Sequence, residues 1–192
     1  MKVLVTGGAG YVGSHVCVAL GEAGYQPVIV DDFSGAPAQV VERLAMIAHP
    51  RPILERGDVF NISWLSQVLQ RHQPCCVIHL AHFAGSQATV ADRLHYLGNN
   101  LTLLASVLRA MESQDIMTLQ VASSDAVYEA QGTRPLSEHA SRQPQTSVGH
   151  AHLMIENLLE GVREVNSRWR MAVLRQFITS GAHASGLIGP LP

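Results

Sequence analysis

The chain has 192 residues, 47% of them hydrophobic and 15% charged, with a formal net charge of −2; that is enough to bury a sizeable core. So even a balance, without a run of like charges, excludes a nucleic-acid-binding surface or a charged tail, and no apolar stretch approaches the ~20 residues of a membrane helix. The chain enters its first apolar run without the charged-then-apolar pattern of a secretory leader, so the expected location is cytoplasmic.

The first predicted element is a buried strand, Val3–Thr6, running directly into Gly7-Gly8-Ala9-Gly10-Tyr11-Val12-Gly13. A helix is expected around Ser14–Ala23, then a second strand, Val28–Asp31. Strand, glycine-rich turn, helix, strand and acid in this order read as a dinucleotide site. Gly7 allows the tight turn, Gly10 lets the backbone approach a pyrophosphate, and Gly13 lets the helix pack close to the strand. The phosphates would sit on the free N–H groups at the helix start, where the dipole favours negative charge. Asp31 would accept hydrogen bonds from the adenosine ribose hydroxyls. A carboxylate there repels a 2′-phosphate, which favours NAD over NADP.

Farther along, residues 37–48 carry a helical pattern and Pro52–Glu55 reads as a short strand before Gly57-Asp58. Leu65–His72 is expected to be helical and Cys76–Leu80 a buried strand. Asn99–Met111 reads as a long helix and Leu119–Ala122 as another strand. A helix around His150–Asn166 and a strand, Met171–Arg175, follow. The stretch Ala130–Ser147, rich in Pro, Ser, Gln and Gly, reads as a loop over the site. Strands alternating with helices predict an α/β fold with a doubly wound parallel sheet.

Cys17, Cys75 and Cys76 read as reduced core thiols, the last two on a buried strand. His79-x-x-His82 and His150-x-His152 have metal-like spacing, but no carboxylate or cysteine ligands accompany them. No metal is expected.

With these residues in view, the chain resembles the extended short-chain dehydrogenase/reductase family, and within it the UDP-glucose 4-epimerases. The opening MKVLVTGGAGYVGSHVCVAL carries most of the likeness. Gly57-Asp58, Val77-Ile78-His79, Asn99-Asn100, Ser123-Ser124-x-x-Val127-Tyr128, Leu174-Arg175-x-Phe177 and Gly181-Ala182-His183-x-Ser185-Gly186 extend it. The resemblance implies a Rossmann-like NAD-binding domain over residues 1–180, with 181–192 as the start of a truncated substrate domain. It further implies backbone contacts from Tyr11 and Val12 to the pyrophosphate, and Asp58 with Val59 at the adenine. Leu80 and Ala81 would line the dinucleotide groove, with Asn99 nearby and Phe177 beside the nicotinamide. Alternatively, Asp58 caps the next helix, Asn99 caps the helix it opens, and Phe177 is core.

The implied family reaction interconverts UDP-galactose and UDP-glucose through a 4-keto sugar. Its base is a tyrosine, tuned by a lysine one helical turn on, with a serine on the reacting oxygen. Ser124 keeps the serine position. Val148 stands where the tyrosine belongs and His152 where the lysine belongs, with matching flanks on both sides. Valine cannot transfer a proton. His152 is a conceivable substitute base, and Tyr128 and Tyr96 are alternative hydroxyls; Tyr128 reads as structural. His82-Phe83-Ala84, Gln176 and Ile178 depart from the family pattern at substrate-contacting positions.

The expectation is an NAD-binding family member, catalytically impaired. A non-catalytic NAD-binding or regulatory module and a decayed fragment are the alternatives. A UDP-sugar is the expected substrate-class ligand. A homodimer through the helices after Asn99 and His150, or pairing with a full-length paralogue, is the expected assembly, with no nucleic acid or membrane. An end of this kind also suggests exposed apolar surface and self-association.

Overall fold

The computed structural model describes residues 1–83, 89–129 and 135–190. Ala84, part of the expected 130–147 loop and the last two residues lie outside the described set.

Among the described residues six strands form one parallel sheet: β1 (Lys2–Thr6), β2 (Gln26–Asp31), β3 (Ile53–Arg56), β4 (Cys76–His79), β5 (Thr118–Ser124) and β6 (Arg170–Gln176). Their order is β3-β2-β1-β4-β5-β6. The α-helices described between them are α1 (Tyr11–Glu22), α2 (Gln39–Ile47), α3 (Ile62–His72), α4 (Val90–Ser113) and α5 (Ser147–Val165). The strand order reverses between β1 and β4, which opens a crevice at their carboxyl ends. Ligands of open α/β sheets bind in such crevices. The expected doubly wound parallel sheet is present.

The strand pattern follows from period-2 alternation of side chains. Val3 and Val5 of β1 and Ile29 of β2 pack with Cys17 and Val18 of α1 and Leu44 of α2. Leu4, Val28 and Val30 face the other way, against Leu65 and Leu69 of α3 and Leu104 and Met111 of α4. Both faces are covered, so the inner strands read as continuous apolar runs.

The differences from expectation concern helix starts. α1 begins at Tyr11, directly after Gly10, rather than at Ser14. α4 begins at Val90, about two and a half turns before Asn99. Its cap is Thr89, whose side chain accepts from the Asp92 N–H while the Asp92 carboxylate accepts from the Thr89 N–H. This capping box satisfies two otherwise orphaned donors, so Asn99 opens no helix and lies inside one. Likewise Asn61, not Asp58, caps α3 by accepting from Trp64. Cys75 precedes β4 and is exposed, contrary to the buried-strand reading. Burial pushes the Cys17 thiol up to about 12 and the Cys76 thiol up to about 11, which keeps both protonated.

The segment after β6 folds back over α1 and α2. Ile188 is only 4% exposed and packs into the cluster beneath α1 and α2. The Tyr11 hydroxyl donates to the Gly181 carbonyl at 2.6 Å. Among the described residues no helix is long and apolar enough to cross a membrane.

Leu104 is a fully buried member of the larger cluster. Leu104→Ala should therefore lower the unfolding free energy by about 2–5 kcal/mol. Urea unfolding checks this as a lower midpoint at unchanged slope.

Candidate functional site

The nucleotide side of the crevice is built from backbone. Gly7 lies at φ +68°, and a Cβ there would come within 2.7 Å of the Ala81 nitrogen. A Cβ on Gly13 would lie 2.1 Å from the Gly7 carbonyl oxygen. No side chain fits at either position, so β1, the turn, α1 and the end of β4 share one close contact. Gly10 differs: an added Cβ would meet only the Gly7 oxygen, at 3.2 Å, and its outer face is open. Gly10 is also the N-cap of α1 and offers no side chain to the first-turn N–H groups of Tyr11, Val12 and Gly13. An uncapped, glycine-lined helix start fits a phosphate.

Asp31 ends β2 and is 8% exposed. Its Oδ2 accepts from the Ala9 N–H at 2.9 Å and its Oδ1 from the Phe33 N–H at 2.9 Å. The carboxylate thus holds the glycine turn in place before any ligand arrives. These two bonds leave about two of its roughly four acceptor sites unused.

Asp58 is exposed beyond β3, with Oδ1 accepting from the Phe60 N–H at 2.8 Å. The Val59 side chain is buried in the larger core cluster. Leu80 and Ala81 follow β4 into the crevice, where the Leu80 N–H donates to the Thr6 carbonyl at 3.1 Å. Asn99 is half-buried on α4. Its neighbour Asn100 does more: its side chain accepts from the Phe83 N–H and donates to the carbonyls of Phe83 and Tyr96. Phe177 is 58% exposed just past β6, which removes the core alternative for it.

On the opposite side, Ser124 ends β5 and caps a single 3₁₀ turn, Asp125–Val127. Its Oγ accepts from the Ala126 N–H and donates to Asp125, both at 3.1 Å. Thr146 caps α5 by accepting from the Gly149 N–H. A Cβ at Gly149 would lie 2.1 Å from the Ala126 oxygen, so the start of α5 is pressed onto the turn that follows Ser124. That contact brings the start of α5, with Val148 and His152, to the end of β5. His152 Nδ1 is buried and has no hydrogen-bond partner among the described residues. Burial holds its pKa below the ordinary histidine value, the nearby His82 adds to this, and Glu156 opposes it.

The tyrosine alternatives are engaged or unsuited. The Tyr128 hydroxyl accepts from Arg175 at 2.7 Å, and the guanidinium lies 5.0 Å from its ring centre. Burial pushes the Tyr96 phenol above its usual range, away from that of a base.

A buried ion cluster that the sequence reading missed anchors this half of the crevice. Glu156 of α5 is 3% exposed and accepts from Ser123 Oγ at 2.6 Å and from Arg175 Nη2 at 2.7 Å and Nε at 3.0 Å. Arg142 adds a longer contact of 3.4 Å. Burial is the largest single influence and would raise the Glu156 pKa, but these bonds together outweigh it and lower the pKa below the usual carboxylate value. The only sequence signal was a glutamate on the apolar face of a predicted helix, with an arginine on a neighbouring strand. In the sequence His79 stands in a metal-like spacing and in the Val77-Ile78-His79 stretch, neither of which points to its hydrogen bond or its burial. It is buried, shares a 2.7 Å hydrogen bond with Thr6 Oγ1, and has its pKa pushed down to about 4 by burial and then by His82. No group of three or more metal-ligating side chains occurs among the described residues.

Comparison with known proteins agrees with this geometry. The profile of the NAD dependent epimerase/dehydratase family matches residues 3–189. A UDP-glucose 4-epimerase of Yersinia pestis is 37% identical over 193 residues, covering 100% of this chain and 57% of that protein. A crystal structure of a UDP-glucose 4-epimerase from Stenotrophomonas maltophila, with bound NAD and formylated UDP-arabinopyranose, superposes with a TM-score of 0.93 at 36% identity. It covers 100% of this chain and 57% of that one. The Bifidobacterium longum enzyme in complex with NAD+ and UDP gives a TM-score of 0.92 at 29% identity, covering 99% of this chain and 57% of that one. The chain therefore spans about 57% of the length of the relatives it matches.

The depressed pKa of His79 sets a pH dependence. Between about 4 and the unfolded value near 6.5, the unfolded chain binds a proton that the folded chain refuses. The stability held by neutral His79 is complete above pH 6.5 and is lost as pH falls toward 4. Urea midpoints measured across that window should fall more steeply for the unaltered chain than for His79→Asn.

Proposed function

Because the chain belongs to the NAD-dependent epimerase/dehydratase family, we propose that it binds NAD across the β1–β4 crevice and is impaired in epimerase chemistry. The observation that carries the binding half is the pairing of an uncapped α1 start with a buried Asp31 carboxylate at the end of β2. In this reading the Tyr11 and Val12 N–H groups, with Gly10 open beside them, hold the pyrophosphate. Asp31 holds the adenosine ribose, and Asp58 and Val59 border the adenine. Leu80, Ala81 and Asn99 line the groove toward the nicotinamide, with Phe177 at its far end. Bound NAD supplies a reversible hydride acceptor.

The protein's own task in such chemistry is to move the proton of a sugar hydroxyl. Ser124 can hydrogen-bond that oxygen, but a serine with no neighbouring base does not remove its proton. Val148 offers no titratable group. His152 is kept neutral at pH 7 by burial and stands one turn along α5 from Val148. Removing a positioned acid/base group lowers rates by roughly 10²–10⁴-fold, and the cation that would tune a tyrosine is absent as well. The relatives' names support a UDP-sugar as the class of ligand, with UDP-galactose and UDP-glucose as the family pair. The proposal extends to a homodimer, or a pairing with a full-length paralogue, through α4 and α5. Leu94 and Met154 are exposed on these two helices.

Calorimetric titration with NAD tests the binding half. Asp31→Ala should weaken NAD binding by about 1–3 kcal/mol through loss of charge-assisted hydrogen bonds; unchanged affinity would remove Asp31 from the site. Conversion of UDP-galactose to UDP-glucose, followed at high protein concentration with added NAD, tests the other half. The expected result is no turnover above background. Turnover that disappears in Ser124→Ala would mean that a further base is at work and would overturn the impaired reading.

A further inference from the structure

At the amino end of β4, the opposite end of the sheet from the crevice, stands a pair of thiols with no part in the nucleotide site. Cys75 and Cys76 are adjacent in the chain. Cys75 is exposed and Cys76 half-buried. A free cysteine is ordinarily packed inside as a small apolar side chain, as Cys17 is at 0% exposure. Cys75 is not packed in that way.

Its place is fixed all the same. The Cys75 N–H donates to the Lys2 carbonyl at 2.9 Å, and its thiol donates to the same oxygen at 3.2 Å. Cys76 takes the register position opposite Val3 of β1 and packs against the cluster beneath α1 and α2. The two thiols lie within hydrogen-bonding reach of each other. Two sulfurs are thus held side by side at a strand end, one of them open to solvent. Beside Cys75 runs a groove of about 560 Å³ between the ends of α3 and α4 and the start of β6, edged by Gln73, Asp115 and Arg170. It has room for an aryl or alkyl group carried by a ligand on the sulfurs.

Neighbouring thiols have a chemistry that a single thiol lacks. Soft sulfur ligands select soft acceptors. An acceptor that takes two sulfurs is held far more tightly when the second stands beside the first, because the second bond then closes within one molecule. Trivalent arsenic is such an acceptor. We propose that Cys75 and Cys76 form a dithiol site for trivalent organoarsenicals. The exposed Cys75 thiol reacts first, because access governs thiol reactivity, and Cys76 closes the ring. With an arsonous acid, R–As(OH)2, two As–O bonds break and two As–S bonds form. Each thiol proton leaves with one hydroxyl as water, and no electron is transferred.

Titration with phenylarsine oxide, the anhydride of such an acid, followed by intact mass, tests this on the unaltered chain, Cys75→Ser and Cys76→Ala. The unaltered chain should take up one phenylarsenic group, keep it in excess 2-mercaptoethanol and release it to 2,3-dimercaptopropanol. Each variant should bind at least about 100-fold more weakly, the scale of a lost second attachment, and should yield its label to the monothiol. Cys75→Ser alters an exposed side chain and carries the test alone should Cys76→Ala fail to fold. No uptake by the folded unaltered chain would overturn the site. So would uptake equally tight in Cys75→Ser, or a label that the monothiol removes from the unaltered chain as readily as the dithiol does.

Discussion

The contact that the rest of the structure depends on lies between β1 and α1, where backbone meets backbone with no side chain between them. The Gly7 carbonyl accepts the Gly10 N–H at 3.1 Å and sits where a Gly13 Cβ would otherwise be. The far side of Gly7 is closed by Ala81, at the end of β4. This contact fixes the entry angle of α1 and brings its uncapped start to the point where the strand order reverses. It also ties the two halves of the sheet together at their carboxyl ends. The Asp31 carboxylate then secures the turn from the β2 side through the Ala9 N–H.

A second, polar anchor organises the other half. Glu156 binds Ser123 on β5 and Arg175 on β6, so one carboxylate positions α5 against two strands. A buried ion pair of this kind adds little net stability, because desolvation offsets the attraction, but breaking it leaves an uncompensated charge. Its value here is geometric. It sets the rotation of α5, and with it the positions of Val148 and His152 relative to Ser124. The groups carried by this part of α5 are a valine and a half-buried imidazole whose pKa is lowered by burial; the proposed impairment rests on that pair.

The crowded glycine turn and the left-handed backbone of Phe33, at φ +64°, are related. Both are maintained by Asp31, through Ala9 in one case and Phe33 in the other. A single carboxylate thus shapes the surface on both sides of the position assigned to the ribose.

The sequence alone determined the fold class and the dinucleotide end, because both rest on local pattern. Apolar alternation marks strands covered on both faces, and the spacing of Gly7, Gly10 and Gly13 records a backbone contact that only glycine permits. Asp31 was legible for the same reason, as an acid at the end of an apolar strand. Helix starts were less legible: the Thr89–Asp92 box lies far upstream of the Asn99 pattern that drew the eye, and Asn61 rather than Asp58 caps α3. Only the tertiary structure decided the Glu156–Arg175–Ser123 cluster, the burial of His79 and the unpartnered His152 nitrogen. It also decided the seating of Ile188 beneath α1 and α2 and the approach of the Arg56 guanidinium to the Phe33 ring. The physical reason is common to all of them. Each joins residues far apart in the chain, and whether a charge or ring is satisfied depends on neighbours that packing supplies and local sequence does not encode.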